Sequence, residues 1–333
     1  MQIETLKIFC DLVDSASFSA AAKKNDITQS AVSQQIRALE RRFNVSFFER
    51  GKKNFSMTPE GQVFEEAARE MLEIYVSIED RLKQMQNVVS GPLRVCTIFS
   101  IGLHDLPPRI RDFQKVFPDV EMKVDYKRYD QVYTEVLEGR ADFGLVAYPQ
   151  KKKGVVVEVF DEDEMVVICP PGHRLANRKS IGIHELSGEN FISFGPDTPT
   201  RKAVDRMLRL NSVEHALNIE LDNIETVKRA VEVSNGISIV PKRSIEPEIE
   251  GNRLICIEIS GDKYYRPLGI LRKRTRATSP AMREFINILK ETANGGSFGE
   301  RKGIEIEGPD DEEEEIASEE TPAEEPEKAE AEA

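Results

Sequence analysis

This 333-residue chain has no apolar run approaching the roughly 18 residues that a membrane-spanning helix needs. No signal peptide is expected at its start, because Ile3, Leu6, Phe9 and Val13 read instead as one face of an ordinary helix. Only four cysteines are present, Cys10, Cys96, Cys169 and Cys256, widely separated and without C-x-x-C spacing. They argue for buried thiols in a reducing cytoplasm over disulfides or a zinc site. The four histidines, His104, His173, His184 and His215, form no ligand pair, so each reads as a surface or satisfied side chain and no metal is expected. The chain also lacks G-x-x-x-x-G-K-S/T, H-E-x-x-H and G-x-S-x-G, and it has no Gly-rich dinucleotide loop. Neither a cofactor nor an enzymatic activity is therefore expected.

The net charge of −13 is confined to one end. Residues 304–333 hold fifteen Asp/Glu and one Lys, while the rest of the chain is nearly neutral. That tail has almost no large apolar residues, and Pro309, Pro322 and Pro326 punctuate it. It cannot bury enough surface to offset ordering entropy, so residues 295–333 are expected to be a disordered acidic tail. It either solvates the chain or competes with nucleic acid for a basic surface.

The most informative stretch is Phe18 to Arg42, which reads as two helices joined by a turn at Asn25 and Asp26, with Ile27 as a buried plug and Thr28 as N-cap. In the second helix Val32, Ile36, Leu39 and Phe43 are spaced 4, 3 and 4, a narrow apolar stripe. Ser30, Ser33, Gln34, Arg37 and Arg41 fall on the opposite side. Such a stripe alone suits any amphipathic surface helix. The segment from Phe47 to Thr58 adds alternating apolar positions around a Gly-Lys-Lys-Asn turn, the pattern of a two-stranded wing. Between Asp26 and Thr58 there are six Lys/Arg and three Asp/Glu. A polar helix face beside a basic wing fits the major groove and the phosphates of double-stranded DNA.

Leu6-x-x-Phe9, Ser17-Phe18-Ser19-x-Ala21-Ala22, Thr28-Gln29-Ser30-Ala31-Val32-Ser33-x-Gln35-Ile36-x-x-Leu39-Glu40, Phe47-Phe48-Glu49-Arg50 and Met57-Thr58-Pro59-x-Gly61 follow one another in order. In these motifs the first 90 residues resemble a LysR-type transcriptional regulator. Ser30 stands where many members carry proline, and Asn44 where glycine is usual; both residues suit their helix ends. The DNA-contacting set on this reading is Thr28, Gln29, Ser30, Ser33, Gln34, Arg37, Arg41, Arg50, Lys52 and Lys53. Gln29, Ser33, Gln34 and Arg37 reach base edges, and the wing holds phosphates.

Residues 1–58 are thus expected to be a winged helix-turn-helix domain, and 59–90 a linker helix capped by Thr58 with Pro59 in its first turn. Phe64, Ala68, Met71, Tyr75, Ile78, Leu82, Met85 and Val89 recur at 4-3-4-3-4-3-4 spacing, an uninterrupted heptad seam. A helix of about 30 residues spans about 45 Å, too long for one small domain to cover, so the seam through Met85 is expected to pair two copies. A two-fold dimer implies pseudo-palindromic DNA. The resemblance implies a tetramer built as a dimer of dimers, and contact with RNA polymerase.

From Gly91 short strands alternate with helices. Strands are expected at Leu93 to Ile98, Val120 to Tyr126, Asp142 to Ala147, Met165 to Cys169, Phe191 to Phe194, Ile219 to Leu221, Ile237 to Val240 and Leu268 to Leu271. Helices are expected at Leu106 to Val116, Val132 to Glu138, Thr200 to Leu210, Ile224 to Val233 and Pro280 to Thr292. This pattern argues an α/β domain over 91–294 with mainly parallel sheets. The resemblance implies two periplasmic-binding-protein-like lobes, with crossovers near 147–162 and 262–268 and a small-molecule effector between them. A stand-alone solute-binding protein is the rival for this part, but the chain begins with a DNA-binding module. Strand C-termini and helix N-termini favour an anionic ligand. The candidates are Thr97, Ser100 and Ile101 in the first lobe, Phe194, Thr198, Thr200 and Arg201 in the second, and Tyr129 and Tyr148 near the crossover. Thr200 is expected to cap its helix, and Arg201 to pair with a carboxylate.

Overall fold

The N-terminal domain closes around Phe9, a fully buried ring in helix α1 (Ile3–Ser15). Phe47 and Phe64 meet it edge-on, with centroids 5.4 and 4.8 Å away, a geometry that aromatic quadrupoles favour. The computed structural model describes residues 2–49, 55–85, 89–214, 216–261 and 263–293. Helices α2 (Phe18–Lys24) and α3 (Gln29–Phe43) complete the helix-turn-helix. Ser17 and Thr28 cap them, each hydroxyl accepting from a first-turn backbone N–H. Val32, Ile36 and Leu39 are buried as their spacing requires, and Asn44 takes the left-handed cap. Phe43 departs from the expected stripe, since it is exposed and leans on Phe64 at a centroid distance of 5.4 Å. Ile27 is half-buried, a partial plug. The wing is pinned by the bridge of Phe48 to Met57, and buried Glu40 accepts the Phe47 N–H at 2.9 Å. The wing tip, with Arg50, Lys52 and Lys53, lies outside the described residues, as does the acidic tail.

Helix α4 (Pro59–Met85) starts from Thr58, whose Oγ1 accepts the Gly61 N–H at 3.0 Å. A Cβ on Gly61 would lie 2.2 Å from the Phe47 carbonyl oxygen, so only glycine lets α4 rest on the wing.

The C-terminal domain begins with β1 (Gly91–Thr97), one turn of π-helix at Ile101–Asp105, and α5 (Leu106–Val116). β2 (Val120–Tyr126), α6 (Tyr129–Leu137) and β3 (Phe143–Ala147) complete the first three-stranded parallel unit, with β1 at its centre. The chain then enters β4 (Val155–Cys169), a fifteen-residue strand that serves both lobes. The second lobe contains β5 (Ser180–Gly182), β6 (Asn190–Phe194), α7 (Pro199–Leu210), β7 (Ala216–Leu221), α8 (Ile224–Val233), β8 (Ser238–Pro241), α9 (Glu246–Glu250) and β9 (Ile255–Ser260). β10 (Tyr265–Lys273) returns to the first lobe, and α10 (Pro280–Ala293) packs its Phe285 and Leu289 into that lobe's core.

The outer pairings are parallel, β5 with β9 and β6 with β7, while the bridge of Phe191 to Ile237 ties β6 to β8. The centre corrects the expectation of mainly parallel sheets. β10 runs antiparallel to β3 and β4, and β4 runs antiparallel to β8 and β9. Two segments that cross between lobes in opposite directions, side by side, must pair this way. β4 also begins ten residues before the expected Met165, because Glu158, Asp161, Glu162 and Asp163 interrupt the apolar pattern. β5, three residues with one large apolar side chain, was too short to stand out, whereas β9 was missed although Ile255, Ile257 and Ile259 alternate along it.

Gly61→Ala is expected to lower stability by roughly 1–3 kcal/mol, as overpacking does, read as a drop in thermal midpoint. An unchanged midpoint would mean that α4 does not rest on Phe47.

Candidate functional site

Two separate sites emerge. On α3, Thr28, Gln29, Ser30, Gln34, Arg37 and Arg41 are exposed and Ser33 is half-buried. Thr28 is occupied by its cap, with its Oγ1 also 2.9 Å from Ser30 Oγ. Among the described residues no carboxylate pairs with Arg37 or Arg41, so both guanidinium groups are available to an outside anion.

The heptad seam of α4 divides. Ala68 is buried and Phe64 half-buried in the core of their own N-terminal domain, so neither belongs to an open seam. Met71, Tyr75, Ile78 and Leu82 are 42–56% exposed and form the open part. The Met85 side chain lies outside the described residues. Val89 lies beyond the helix and packs on the first lobe. Between these ends, Glu73 accepts from Lys273 Nζ at 2.8 and 3.0 Å, joining α4 to the end of β10. Gly139 permits that approach, because a Cβ there would lie 2.1 Å from Glu73 Oε1.

Between the lobes is a cleft of about 590 Å³. Its first wall comes from the end of β1 (Ile98, Phe99, Ser100) and the start of α6 (Arg128, Tyr129, Asp130). Its second wall comes from Phe194 to Thr200 at the start of α7 and from Glu220 to Ile224 at the start of α8. Arg266 of β10 also lines it. His104 of the first lobe meets Glu225 of the second at 2.9 Å across this junction. At the hinge, Arg243, which follows β8, donates to Asp105 of the first lobe at 3.1 Å and to Asp161 of β4 at 3.1 Å. Arg109 of α5 reaches the same Asp161 at 3.0 Å. Burial, then the nearby Asp105, pushes the Asp163 carboxyl up to about 6 against the pull of Arg266.

Residues 3–62 match the family described as Bacterial regulatory helix-turn-helix protein, lysR family, and residues 86–294 match LysR substrate binding domain. The chain belongs to the LysR family. It is a DNA-binding transcriptional regulator with an effector-binding C-terminal domain. It is 27% identical over 290 residues to the HTH-type transcriptional regulator CysL of Bacillus subtilis, covering 87% of this chain and 97% of that protein. It is likewise 27% identical over 298 residues to the RuBisCO operon transcriptional regulator of Allochromatium vinosum, covering 88% and 97%. Full-length OxyR of Pseudomonas aeruginosa shares the fold with a TM-score of 0.71 at 22% identity, covering 89% of this chain and 96% of that one. Full-length CbnR in complex with its target DNA does so at 0.62 and 18% identity, covering 88% and 100%.

Within this LysR-family domain, Ser100, Tyr129, Phe194, Thr198 and Thr200 line the cleft, and four other candidates do not. Thr97 is fully buried with its Oγ1 donating to the Ile98 carbonyl, and Ile101 lies in the first-lobe core. Tyr148 packs on that core, where burial pushes its phenol up to about 12. Arg201 is held by Asp205, Glu220 and the Phe194 carbonyl, so its carboxylate partners are internal. Thr200 is not the cap either. Thr198 accepts from the Arg201 N–H and Pro199 takes the first helical position, where its missing N–H costs nothing. Lys127, Arg128, Asn223 and Arg266 were not foreseen in the cleft. Only Asn223 had a local signal, as an N-cap residue preceding Ile224.

The cysteines are free thiols, three of them buried, and burial pushes Cys10 and Cys96 up to about 12 and Cys169 to about 11. His104 and His173 have carboxylate partners and His184 is exposed, whereas His215 lies outside the described residues. Among the described residues no group of three or more His, Cys, Asp or Glu is placed to hold a metal ion, and no helix is long and apolar enough to cross a membrane.

Below about pH 4 Asp163 is neutral in the folded and unfolded chain alike. Between there and about 6 only the folded chain keeps the proton, so this contribution to stability is lost as pH rises through about 6. Asp163→Asn, neutral throughout, should gain stability relative to the native chain as pH rises from 4 to 7 in denaturant melts. A stability difference that does not vary with pH would contradict this carboxyl environment.

Proposed function

We propose that α3 reads DNA through Gln29, Ser33, Gln34 and Arg37, while Thr28, Ser30 and Arg41 and the wing residues Arg50, Lys52 and Lys53 hold the backbone. The observation that carries this reading is the exposed, unpaired cationic face of α3. Arg37 lies on the exposed face two turns into the helix, where a guanidinium can donate two parallel bonds to a guanine. In mobility-shift titrations Arg37→Ala should cost about 1–3 kcal/mol on the cognate site and much less on unrelated DNA. An equal loss on both would make Arg37 a phosphate contact.

The C-terminal cleft receives a small anionic effector, which biases the lobes toward one spacing by its difference in affinity for the two. The Synechocystis CcmR regulatory domain, solved in complex with 2-PG, has the same fold at a TM-score of 0.56 and 22% identity, which supports a small-molecule effector for this domain. β10 links the cleft to the DNA-binding module, since it carries Arg266 at one end and, at the other, Lys273 bound to Glu73 of α4. The chain acts as a binding switch rather than an enzyme, in the cytoplasm, and communicates with RNA polymerase through the DNA.

Met71, Tyr75, Ile78 and Leu82 pair two copies along α4, and two such dimers form the tetramer. An exposed stripe of this kind on a 27-residue helix gains its cover from an identical stripe. Ile78→Asp should shift the sedimenting species to smaller assemblies. An unchanged oligomer would place the interface elsewhere.

A further inference from the structure

Arg266 is the feature of the cleft that ordinary structural roles leave unexplained. It is only 2% exposed, yet it lines the cleft. One terminal nitrogen donates to Ser100 Oγ at 3.0 Å and the other reaches Asp163 at 3.4 Å, while Nε has no partner. A buried N–H without an acceptor is costly, and a guanidinium presents Nε–H and a terminal N–H on one edge as a fork for carboxylate. Ser100 accepts from Arg266, so its own hydroxyl proton remains free to donate. Three helices of nine to twelve residues, α6, α7 and α8, begin at the same cleft and add positive field there.

We propose that the Arg266 guanidinium is the carboxylate receptor of the cleft, and that the effector is a small organic monocarboxylate with an apolar body. This rests on the cleft being the effector site. The monoanion follows from the local charges. Asp163 already shares Arg266, so a dianion would leave excess negative charge in a buried pocket. Around the opening the carboxylates Asp130, Asp197, Glu220 and Asp222 outnumber the cations Lys127 and Arg128, which disfavours a second anionic end. Phe99, Phe194 and Ile224 supply the apolar contact for the body of the molecule.

The test uses the full chain with hexanoate, hexanol, inorganic phosphate and sulfate as probes at matched ionic strength. The sequence contains no tryptophan, so Phe99→Trp places the chain's single tryptophan at the cleft, excited selectively over the tyrosines. Hexanoate should raise the thermal midpoint and change the Trp emission, and the other three should do neither. Arg266→Lys, introduced alone and together with the reporter, keeps the cation but removes the fork. It should weaken hexanoate by about tenfold, the value of a charge-assisted bond. The pair Arg266→Gln with Asp163→Asn leaves no lone buried charge and should abolish the response, with cooperative unfolding as the check on folding. Stabilisation by phosphate or sulfate, equal effects of hexanoate and hexanol, or no response to any probe would overturn the carboxylate assignment. Stabilisation by hexanoate with silent Trp emission would place binding outside the cleft and overturn the site itself.

Discussion

Two buried carboxylates on one crossing strand gather the arginines of both lobes at one point. Asp161 of β4 takes Arg109 from the first lobe and Arg243 from the turn after β8 in the second, and two residues on Asp163 takes Arg266 from the other crossing strand. Strand alternation separates residues i and i+1, whereas i and i+2 share a face, so Asp161 and Asp163 present their charges together. Removing both arginines would leave Asp161 an uncompensated buried charge, a loss on the order of 3–5 kcal/mol, whereas burial already disfavours the charged form of Asp163. The hinge is therefore the place where the lobes are tied, and motion between them has to be absorbed around this cluster.

The same constraint joins the two sites. β10 supplies Arg266 to the cleft and, seven residues later, Lys273 to Glu73 of α4. A strand of that length spans about 23 Å and does not stretch. On the proposed reading, displacement of its cleft end reaches the helix that carries the DNA-binding domain through this covalent strand and one ion pair, and the Gly139 turn makes room for the contact.

Much of the N-terminal domain was legible because its determinants are local. The caps formed by Thr28, Thr58 and Asn44 each lie within four residues of their own position, and the 4-3-4 stripe of α3 is a property of the helix itself. The cleft was legible only where local rules apply. The cap at Thr198 was within reach, since proline at the next position marks the start of the helix. Arg266 was not, because its partners Ser100 and Asp163 lie 166 and 103 residues away in sequence. The α4 seam shows the same limit. Ala68 and Met71 fit one heptad pattern, but only the tertiary fold buries one in the core of the N-terminal domain and leaves the other open.

On the proposed reading the protein is a two-fold dimer that reads DNA with one helix per subunit. Hydroxyl-radical footprinting on the DNA upstream of its own gene tests it most directly. The account predicts paired protected half-sites related by two-fold symmetry, with centres one helical turn or a whole multiple apart. A single unsymmetrical block of protection, or protection without sequence preference, would contradict it.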